Sequence, residues 1–466
     1  MWTRGALARA PGKARHPRRC AVSILTRIPE LLDDWFVGDN MARRARLATK
    51  IPASMLPALR QSKFRALMKY VGVKSPFYQR RFKALGIDPA AVRTPEDLGD
   101  FFTTAQDLRE NPIEDFLCAR PELGFETTGT TSTTSKRVYF SRREAADMGR
   151  DGALGLYNLG LRPEDRAVDA FDYSFWNAPF TLRASLDRLG CFHMTAAKIP
   201  PTEFYDRVKP YGFNVLFVEP SWLVVLTEIA RVRGTWPVKF FYVGGENMSE
   251  DTRRYIETTW QTKVYIGYGQ TESFGQLGTE CPAQHGYHID DFNLYCEILD
   301  KGEDGFGELA YTTLSRVVMP LIRYRSTDIT RFLDEPCTCS LRITRRIAKI
   351  RGRVDEMVNC GMGNLSPWFF EQLLDGVPEI TRDWQVGVVR TGNRDTIEFR
   401  LELREGSTPE TVTEIVKARV KERIPDSWRN YQLGLFEFGF RFAAPGALRT
   451  GRKLRRLVDE RMKAWG

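Results

Sequence analysis

The stretch KFFYVGGENMSEDTRRYIETTWQTKVYI, residues 239–266, decides the fold. Its two ends, Lys239–Val243 and Lys263–Ile266, are short runs rich in β-branched and aromatic residues, which favour strands. Between them, Ser249–Trp260 reads as a helix. A strand–helix–strand unit predicts two neighbouring parallel strands in a sheet that is covered by helices.

The same alternation extends outward through residues 119–330, with further β-rich runs at Arg166–Phe171 and Asn214–Val218. Residues 25–118 read mostly as helices, whereas Gly307–Phe332 reads as antiparallel strands joined by tight turns. The sequence therefore predicts an α/β fold with one large unit of helix-covered sheets.

A shorter α+β unit is predicted after Gly352-Arg353. Its expected elements are helices at 366–375 and 409–423, strands at 384–390, 396–403 and 435–442, and a basic helix at the C-terminus. We therefore divide the chain into a basic tail (1–24), a large domain (25–352) and a small C-terminal domain (353–466).

Composition and charge exclude several classes of protein. The chain has 466 residues, of which 42% are hydrophobic and 27% charged, which excludes a disordered chain, a collagen-like chain and a disulfide-stapled mini-protein. We find no apolar run of about 18 residues, so no membrane-spanning helix is expected. The net charge is +10, and residues 1–20 contain Arg and Lys but no Asp or Glu.

The basic tail is open to three interpretations: a nucleic-acid contact, a targeting peptide, or a disordered leader or over-long start, which we favour. A secretory signal would need an apolar core of about 7–15 residues, and Ala21–Ile28 is too short and includes a charged residue. We therefore expect a cytoplasmic protein that has no nucleic-acid partner and no membrane partner.

Two hydroxyl- or glycine-rich segments carry the side chains expected of a phosphate site. In TTGTTSTTSKR, residues 127–137, hydroxyls and one glycine between β-rich runs can wrap a polyphosphate, with Lys136 or Arg137 offsetting its charge. In YIGYGQTE, residues 265–272, Glu272 follows a strand and could hold Mg²⁺. The alternatives are a solvated Ser/Thr-rich turn and a hairpin turn with a surface carboxylate.

Three further segments carry charge. In MPLIRYRSTD, residues 319–328, Asp328 could accept from both hydroxyls of a ribose, or could simply cap a turn. The segments IRGRVDEM (350–357) and RTGRK (449–453) are, in isolation, most simply surface charge.

The cysteines and histidines suggest a metal site rather than a disulfide framework. Cys281, His288, Cys337 and Cys339 supply three sulfurs and one imidazole, which is a set suited to four-coordinate zinc. Buried or incidental cysteines are the alternative.

Taken in order, these segments resemble the adenylate-forming superfamily of acyl-CoA ligases, adenylation domains and luciferases, and most closely its phenylacetate–CoA ligase branch. The most specific match is GELAYTTLSRVVMPLIRYRSTDITRF, residues 307–332. VGGENMS (243–249) is similar to the adenine-side turn of that branch, and YGQTE (268–272) to its Tyr-Gly-x-Thr-Glu motif. Some proteins of the branch also have a cysteine and histidine pattern like the one seen here.

The resemblance implies a large ATP-binding domain, a small mobile domain and two reaction steps. A carboxylate attacks the α-phosphate of ATP to give acyl-AMP and pyrophosphate, and a nucleophile, usually coenzyme A, then displaces AMP. It implies a hinge at Asp355 and catalytic roles for Lys453, Thr271 and Glu272, of which Glu272 would hold Mg²⁺. The implied nucleotide contacts are Thr127, Thr128, Gly129, Thr130, Thr131, Ser132, Lys136, Gly244, Gly245, Glu246, Tyr268, Gly269, Asp328 and Arg353.

The sequence departs from the branch at three places. Thr133-Thr134-Ser135 replaces Gly-Lys-Pro or Gly-Arg-Pro in the phosphate loop, and Ser326-Thr327-Asp328 replaces Thr-Gly-Asp. Cys360 stands where the branch commonly has Arg, which puts coenzyme A as the acceptor in doubt. The alternatives are transfer to an amine, carrier protein or other nucleophile, and a regulatory or nucleic-acid-binding protein on the same fold.

The acid is expected to bind between Tyr173–Leu182, Tyr242–Glu246 and Tyr268–Gly275. Aromatic side chains in the first of these segments favour a flat or apolar acid, although aromatics also fill protein cores. The expected partners are this small-molecule acid and coenzyme A or another acyl acceptor, and the chain is compatible with a homodimer.

Overall fold

The computed structural model describes one compact unit that begins at Met41. The described residues are 40–127, 136–171, 173, 175–246, 248–273, 275–354, 358–360, 362–391, 394–432, 435–449 and 454–461. Several of the predictions lie outside these ranges: the basic tail, the phosphate-loop residues Thr128, Gly129, Thr130, Thr131 and Ser132, the hinge residue Asp355, and Lys453.

The helices of the described residues begin and end as follows. They are α1 (Met41–Ala48), α2 (Met55–Lys74), α3 (Pro76–Leu85), α4 (Ala105–Glu110), α5 (Arg142–Asn158), α6 (Ala178–Leu189), α7 (Pro201–Val208), α8 (Pro220–Arg233), α9 (Glu250–Trp260), α10 (Pro367–Leu374), α11 (Pro409–Arg423) and α12 (Pro425–Gln432).

The strands of the described residues alternate with these helices and then follow one another. They are β1 (Leu123–Thr127), β2 (Lys136–Phe140), β3 (Arg166–Asp169), β4 (Phe192–Thr195), β5 (Val215–Val218), β6 (Phe240–Val243), β7 (Lys263–Gln270), β8 (Gly275–Thr279), β9 (Tyr287–Ile289), β10 (Leu294–Leu299), β11 (Gly307–Thr313), β12 (Tyr324–Thr330), β13 (Phe332–Leu333), β14 (Arg346–Ile347), β15 (Val358–Cys360), β16 (Gly363–Leu365), β17 (Ile380–Thr391), β18 (Arg394–Leu403), β19 (Phe436–Ala443) and β20 (Leu457–Asp459).

The large sheet has the strand order β13-β14-β9-β8-β7-β6-β5-β3-β4. The strands β4, β3, β5, β6 and β7 are parallel, and from β7 onward the sheet continues as antiparallel strands. The stretch at residues 239–266 forms the predicted unit, because β6 pairs in parallel with β7 and α9 connects them. The predicted α/β class is confirmed.

Helix α9 shows why this segment folds as it does. The hydroxyl of Ser249 accepts a hydrogen bond from Thr252 N at 3.2 Å and so caps the first turn. Arg253, Ile256 and Trp260 follow at helical spacing and are buried. The Trp260 indole donates to Thr227 Oγ1 at 2.9 Å, which joins α9 to α8.

The antiparallel strands predicted at 307–332 are present as β11 and β12. They belong to a second sheet, in which β11 lies in the middle and pairs with β10 on one side and β12 on the other. The C-terminal part forms a four-stranded sheet of order β19-β18-β17-β20. The prediction of a basic C-terminal helix is wrong over 457–459, because Leu457 becomes buried as β20 pairs in parallel with β17.

The buried apolar residues fall into separate clusters on the two sides of the predicted boundary at Gly352-Arg353. Two clusters lie between Met41 and Ile347, and the third lies between Val358 and Leu457. The division of the chain near residue 352 stays a prediction. Among the described residues, no helix has both the length and the apolar character needed to cross a bilayer.

Helices α5 and α6 approach each other closely at two glycines. A methyl group at Gly149 would lie 2.8 Å from the backbone oxygen of Ala184, and one at Gly152 would lie 2.2 Å from Ser185 Oγ. Backbone cannot move aside as a flexible side chain can, so Gly149 sets the position of α6.

We expect Gly149→Ala to lower the free energy of unfolding by about 1–3 kcal/mol, because the added methyl forces α6 away from α5. Gly155→Ala in the same helix is the matched control. Its nearest neighbour would lie at 3.8 Å, so the gain in helix propensity, about 0.5–1 kcal/mol, should dominate. Urea unfolding measures both changes, and equal effects at the two glycines would contradict this account of the packing.

Candidate active site

The site lies where the parallel strands of the large sheet end. Gly244 and Gly245 follow β6, and Thr271 and Glu272 follow β7 at the turn into β8. Gly245 has φ +84°, a conformation that glycine adopts without strain. The carboxyl ends of parallel strands are where ligands bind in open α/β sheets.

Glu272 forms a buried ion pair with Lys136, the first residue of β2. Tyr324 Oη donates to the same carboxylate oxygen at 3.0 Å. Burial raises the pKa of the Glu272 carboxyl, but the charge of Lys136 and these hydrogen bonds outweigh burial, so the pKa lies below its usual range. The carboxylate is therefore ionised and ready to bind a cation.

The phosphate loop connects directly to this ion pair. Its described flanks are Thr127 and Lys136, which face each other across the antiparallel pair of β1 and β2. Lys136 thus joins the end of the loop to the end of β7. Residues predicted from two separate motifs, Lys136 and Glu272, are thus in contact, and Thr127 pairs with Lys136 through the strands.

Asp328 lies in β12, is buried, and is surrounded by donors. Tyr268 Oη donates at 2.5 Å and Gln270 Nε2 at 2.8 Å to its Oδ2 atom. Arg353 Nη1 lies 3.4 Å from Oδ1 and the two residues form a β-bridge. The predicted residues Tyr268, Asp328 and Arg353 therefore form one cluster.

Thr327 occupies the position that is glycine in the similar motif. Its φ is +66°, a region that side chains with a branched Cβ rarely adopt. Its N–H donates to Glu308 Oε1 at 3.0 Å, and Glu308 is itself ion-paired with Arg325. The turn before Asp328 is therefore retained in spite of the substitution, at a cost of about 1–3 kcal/mol.

The C-terminal segment comes close to the predicted turn at Gly244-Gly245-Glu246. Arg449 donates to both oxygens of Asp383, at 2.8 and 2.9 Å, and Arg456 donates to Trp384 O at 2.9 Å. Hydrogen bonding to Asp383 raises the pKa of Arg449, and the charge of Glu246 adds to the effect. The residues on either side of Lys453 are thus anchored to β17.

Three residues that sequence reasoning missed complete the site. Gln270 and Tyr324 bond Asp328 and Glu272 as described, and Asn177 Oδ1 accepts a hydrogen bond from Thr271 at 3.3 Å. Gln270 and Tyr324 lie inside the quoted motifs, so the sequence indicated that they are near the site. It did not indicate which side chains they contact. Asn177 lies in the segment Tyr173–Leu182, which was expected to contact the acid, but nothing marked it individually.

The predicted metal-binding residues also meet. One ligand atom each from Cys281, His288, Cys337 and Cys339 lies within 4.8 Å of the others. The sulfurs of Cys281 and Cys337 are 3.7 Å apart, and Cys339 Sγ lies 3.2 Å from His288 Nε2. The contact exists because β14 pairs with β9, which carries His288, and so brings in the loop that holds Cys337 and Cys339.

The distances in this cluster suit a metal better than a disulfide. Two sulfurs bound tetrahedrally at about 2.3 Å from zinc lie about 3.8 Å apart, whereas a disulfide requires about 2.05 Å. The other ring nitrogen of His288 lies 3.2 Å from Thr344 Oγ1, which orients the ring.

Comparison with known proteins supports the resemblance seen in the motifs. No protein-family model matches the chain. The chain is similar to a phenylacetate–coenzyme A ligase from Thermus thermophilus, with 28% identity over 388 residues that cover 80% of this chain and 87% of that one. The predicted likeness to the phenylacetate–CoA ligase branch is confirmed.

Solved structures show the same fold. The crystal structure of 2-hydroxyisobutyryl-CoA ligase in the postadenylation state has a TM-score of 0.74 and 20% identity, and covers 89% of this chain and 91% of that one. An o-succinylbenzoate coenzyme A synthetase from Bacillus subtilis in complex with ATP and magnesium ion has a TM-score of 0.53 and 16% identity, over 72% of this chain and 68% of that one. The chain therefore has the fold of the adenylate-forming ligases.

We expect Lys136→Met to lower the free energy of unfolding by about 3–5 kcal/mol at pH 8, because it leaves Glu272 charged and unpaired in the interior. Burial then raises the folded-state pKa of Glu272 above its unfolded value. Stability of the variant should be best at acid pH and fall as the pH rises through the folded-state pKa. The wild type, whose Glu272 pKa is lowered, should instead lose this contribution as the pH falls.

Urea unfolding between pH 5 and pH 8 measures this difference. Arg137→Met is the matched control, because Arg137 is the next residue and its ion pair with Glu126 is exposed. It should change stability little at any pH. A Lys136→Met deficit that is the same at pH 5 and pH 8 would show that the ion pair does not govern Glu272.

Proposed function

We propose that this chain, which has the adenylate-forming fold and resembles the phenylacetate–CoA ligases, is an AMP-forming acid–CoA ligase. It activates a carboxylic acid with ATP to give acyl-AMP and pyrophosphate, and then transfers the acyl group to coenzyme A. The observation that carries the proposal is that Tyr324 and Tyr268 link two charged pairs, Lys136–Glu272 at the carboxyl end of β7 and Asp328–Arg353 at β12.

In the first step, one oxygen of the acid's carboxylate attacks the α-phosphorus of ATP. The bond from that phosphorus to the oxygen bridging to the β-phosphate breaks, and pyrophosphate leaves. In the second step, the sulfur of coenzyme A attacks the acyl carbonyl carbon, the thiol proton is lost to solvent, and AMP leaves. Both steps bring together negatively charged or electron-rich groups, so they need charge compensation and alignment.

The residues of this chain divide this work as follows. Asp328, held by Tyr268, Gln270 and Arg353, would accept hydrogen bonds from the ribose hydroxyls. Thr271 would donate to the α-phosphate. Lys136 would supply the cation that the phosphate loop otherwise lacks, since Thr133-Thr134-Ser135 replaces the motif that usually contains one.

Glu272 fits a magnesium ligand, because it is a buried carboxylate that its surroundings keep ionised. Bound Mg²⁺ supplies a Lewis acid that neutralises charge on the phosphates. Asp355 would act as the hinge, and Lys453 would neutralise charge at the α-phosphate during adenylation. The anchoring of Arg449 and Arg456 to β17, with Glu246 contributing to the electrostatic field at Arg449, supports this placement of the lysine segment.

We assign an aromatic or otherwise apolar acid as the substrate. Phe180, in the segment expected to contact the acid, packs against Phe125 with ring centroids 5.5 Å apart, and Tyr268 stacks on Tyr287 at 5.6 Å. Aromatic walls suit a flat acid. Transfer to an amine or carrier protein is the second candidate, because Cys360 replaces the Arg common in the branch.

The test is a product analysis with a panel of aryl and aliphatic acids, ATP and Mg²⁺, with and without coenzyme A. We expect AMP and pyrophosphate, with faster turnover when coenzyme A is added, because the thiol removes a tightly held adenylate. Glu272→Gln should lower the rate of pyrophosphate release about 100-fold or more. Formation of ADP would overturn the adenylation assignment. Acceleration by an amine or carrier protein but not by coenzyme A would favour the second candidate.

We also propose that Cys281, His288, Cys337 and Cys339 hold one structural zinc ion. The proposal rests on the tetrahedral spacing of their ligand atoms and on the orienting contact from Thr344. A site with four protein ligands leaves no open position for a substrate, so its role would be to fix the β9–β14 region rather than to take part in the reaction.

We expect the purified protein to contain about one zinc per chain, and the Cys337→Ser/Cys339→Ser double variant to lose the zinc and to melt at a lower temperature. Thr344→Ala should keep all four ligands but weaken zinc binding about 10–100-fold. Cys118→Ser, outside the cluster, is the control and should retain the metal. Elemental analysis and thermal unfolding measure these outcomes, and wild-type protein without zinc would refute the proposal.

A further inference from the structure

Asn177 lies at the start of α6, next to Thr271, and only one end of its side-chain amide is hydrogen-bonded among the described residues. Asn177 is only 3% exposed, and its Oδ1 atom accepts a hydrogen bond from Thr271 Oγ1 at 3.3 Å. Its Nδ2 atom is buried and has no hydrogen-bond partner among the residues that the structure describes. Buried polar groups nearly always have a partner, so this amide calls for an explanation.

The side chain of Asn177 also does not cap its own helix. Asparagine at this position usually accepts a hydrogen bond from the first turn, but no such bond is present here. Pro179, at the second helical position, has no N–H to offer. The side chain instead points toward Thr271, and the partly positive N-terminus of α6 lies beside it.

The position of Asn177 is fixed by backbone contacts on both sides. Glu126 N donates to Phe175 O at 3.0 Å, which joins this segment to β1 just before the phosphate loop. Thr181 N donates to Asn177 O at 2.9 Å and so holds the first turn of α6. Asn177 therefore lies in a segment that is bonded to β1 on one side and to Thr271 on the other.

We propose that Asn177 is a further substrate-contacting residue whose amide donates to an oxyanion at the reacting centre. An oxyanion is an acceptor only, so it satisfies the amide that the ligand-free protein leaves unpaired. Thr271 and the N-terminus of α6 favour the same kind of ligand. This inference rests on the proposed function and adds to it a residue that contacts the substrate.

Two oxyanions meet at this place in the proposed reaction: the carboxylate of the acid and the α-phosphate of the nucleotide. Either one would take the same hydrogen bond. Affinity for AMP reports on the phosphate, whereas the acid KM in pyrophosphate exchange at saturating ATP reports on the carboxylate.

The experiment compares the wild type with Asn177→Ser, Asn177→Asp and Asn214→Ala. Serine can cap α6 but is too short to replace the amide, so Asn177→Ser should keep the fold. Aspartate keeps the size but places a negative charge against the oxyanion. Asn214 is the matched control, because both ends of its amide are already bonded, to Arg166 N at 2.9 Å and Asp165 Oδ1 at 2.8 Å. The readouts are AMP affinity by calorimetry, the acid KM and thermal unfolding.

We expect Asn177→Ser to weaken either AMP binding or acid binding about 10–100-fold, the usual effect of losing a hydrogen bond to a charged group, while its melting temperature is maintained. Asn177→Asp should weaken the same ligand further. Asn214→Ala should melt lower and bind both ligands normally.

Unchanged AMP affinity together with an unchanged acid KM in Asn177→Ser would overturn the inference. If no acid supports pyrophosphate exchange by the wild type, the proposed function fails, and the AMP titration alone decides the role of Asn177: a loss supports it and no change refutes it.

Discussion

A carboxylate buried at the end of β7 remains ionised only if a cation is buried with it, and the Lys136–Glu272 pair meets this condition. The pair joins residues 136 positions apart, and Tyr324 adds a third element through its hydroxyl. It therefore fixes the end of the phosphate loop, the β7–β8 turn and β12 relative to one another. The geometry around Asp328 and Thr271 depends on those same three elements, so the ion pair organises the candidate site as a whole.

The sequence predicted the features that depend on neighbouring residues. The strand–helix–strand unit at 239–266 was readable because its pattern is local, and the motif at 265–272 placed Glu272 at the end of a strand, whereas Asp328 lies inside β12. Contacts between distant segments were not readable. The bonds of Tyr324 and Asn177 depend on residues 52 and 94 positions away, and β20 is a strand rather than a helix because pairing with β17 overrides the local preference.

The departures from the family pattern differ in what they change: one affects backbone geometry and another removes a positive charge. Thr327 replaces a glycine, yet its N–H bond to Glu308 holds the same left-handed turn before Asp328. The loss of Gly-Lys-Pro from the phosphate loop removes a cation, and Lys136 lies where a cation is needed. The usual residues of a motif can thus be replaced while its charge or its backbone geometry is kept, when a neighbouring residue supplies the same charge or holds the same turn.

The contacts between the parts of the chain before and after residue 355 bear on the proposed two-step reaction. Arg382 lies 3.8 Å from the centre of the Tyr255 ring, and Arg351 lies 4.6 Å from the centre of the Trp368 ring. In both contacts a charged arginine packs on an aromatic ring, whereas the apolar clusters stay on their own sides of the predicted boundary. Polar contacts can be exchanged for water at small net cost, but an apolar core cannot. If the chain divides near residue 352 as predicted, contacts of this kind would let the small domain leave one position and take up another, as two half-reactions sharing one nucleotide site require.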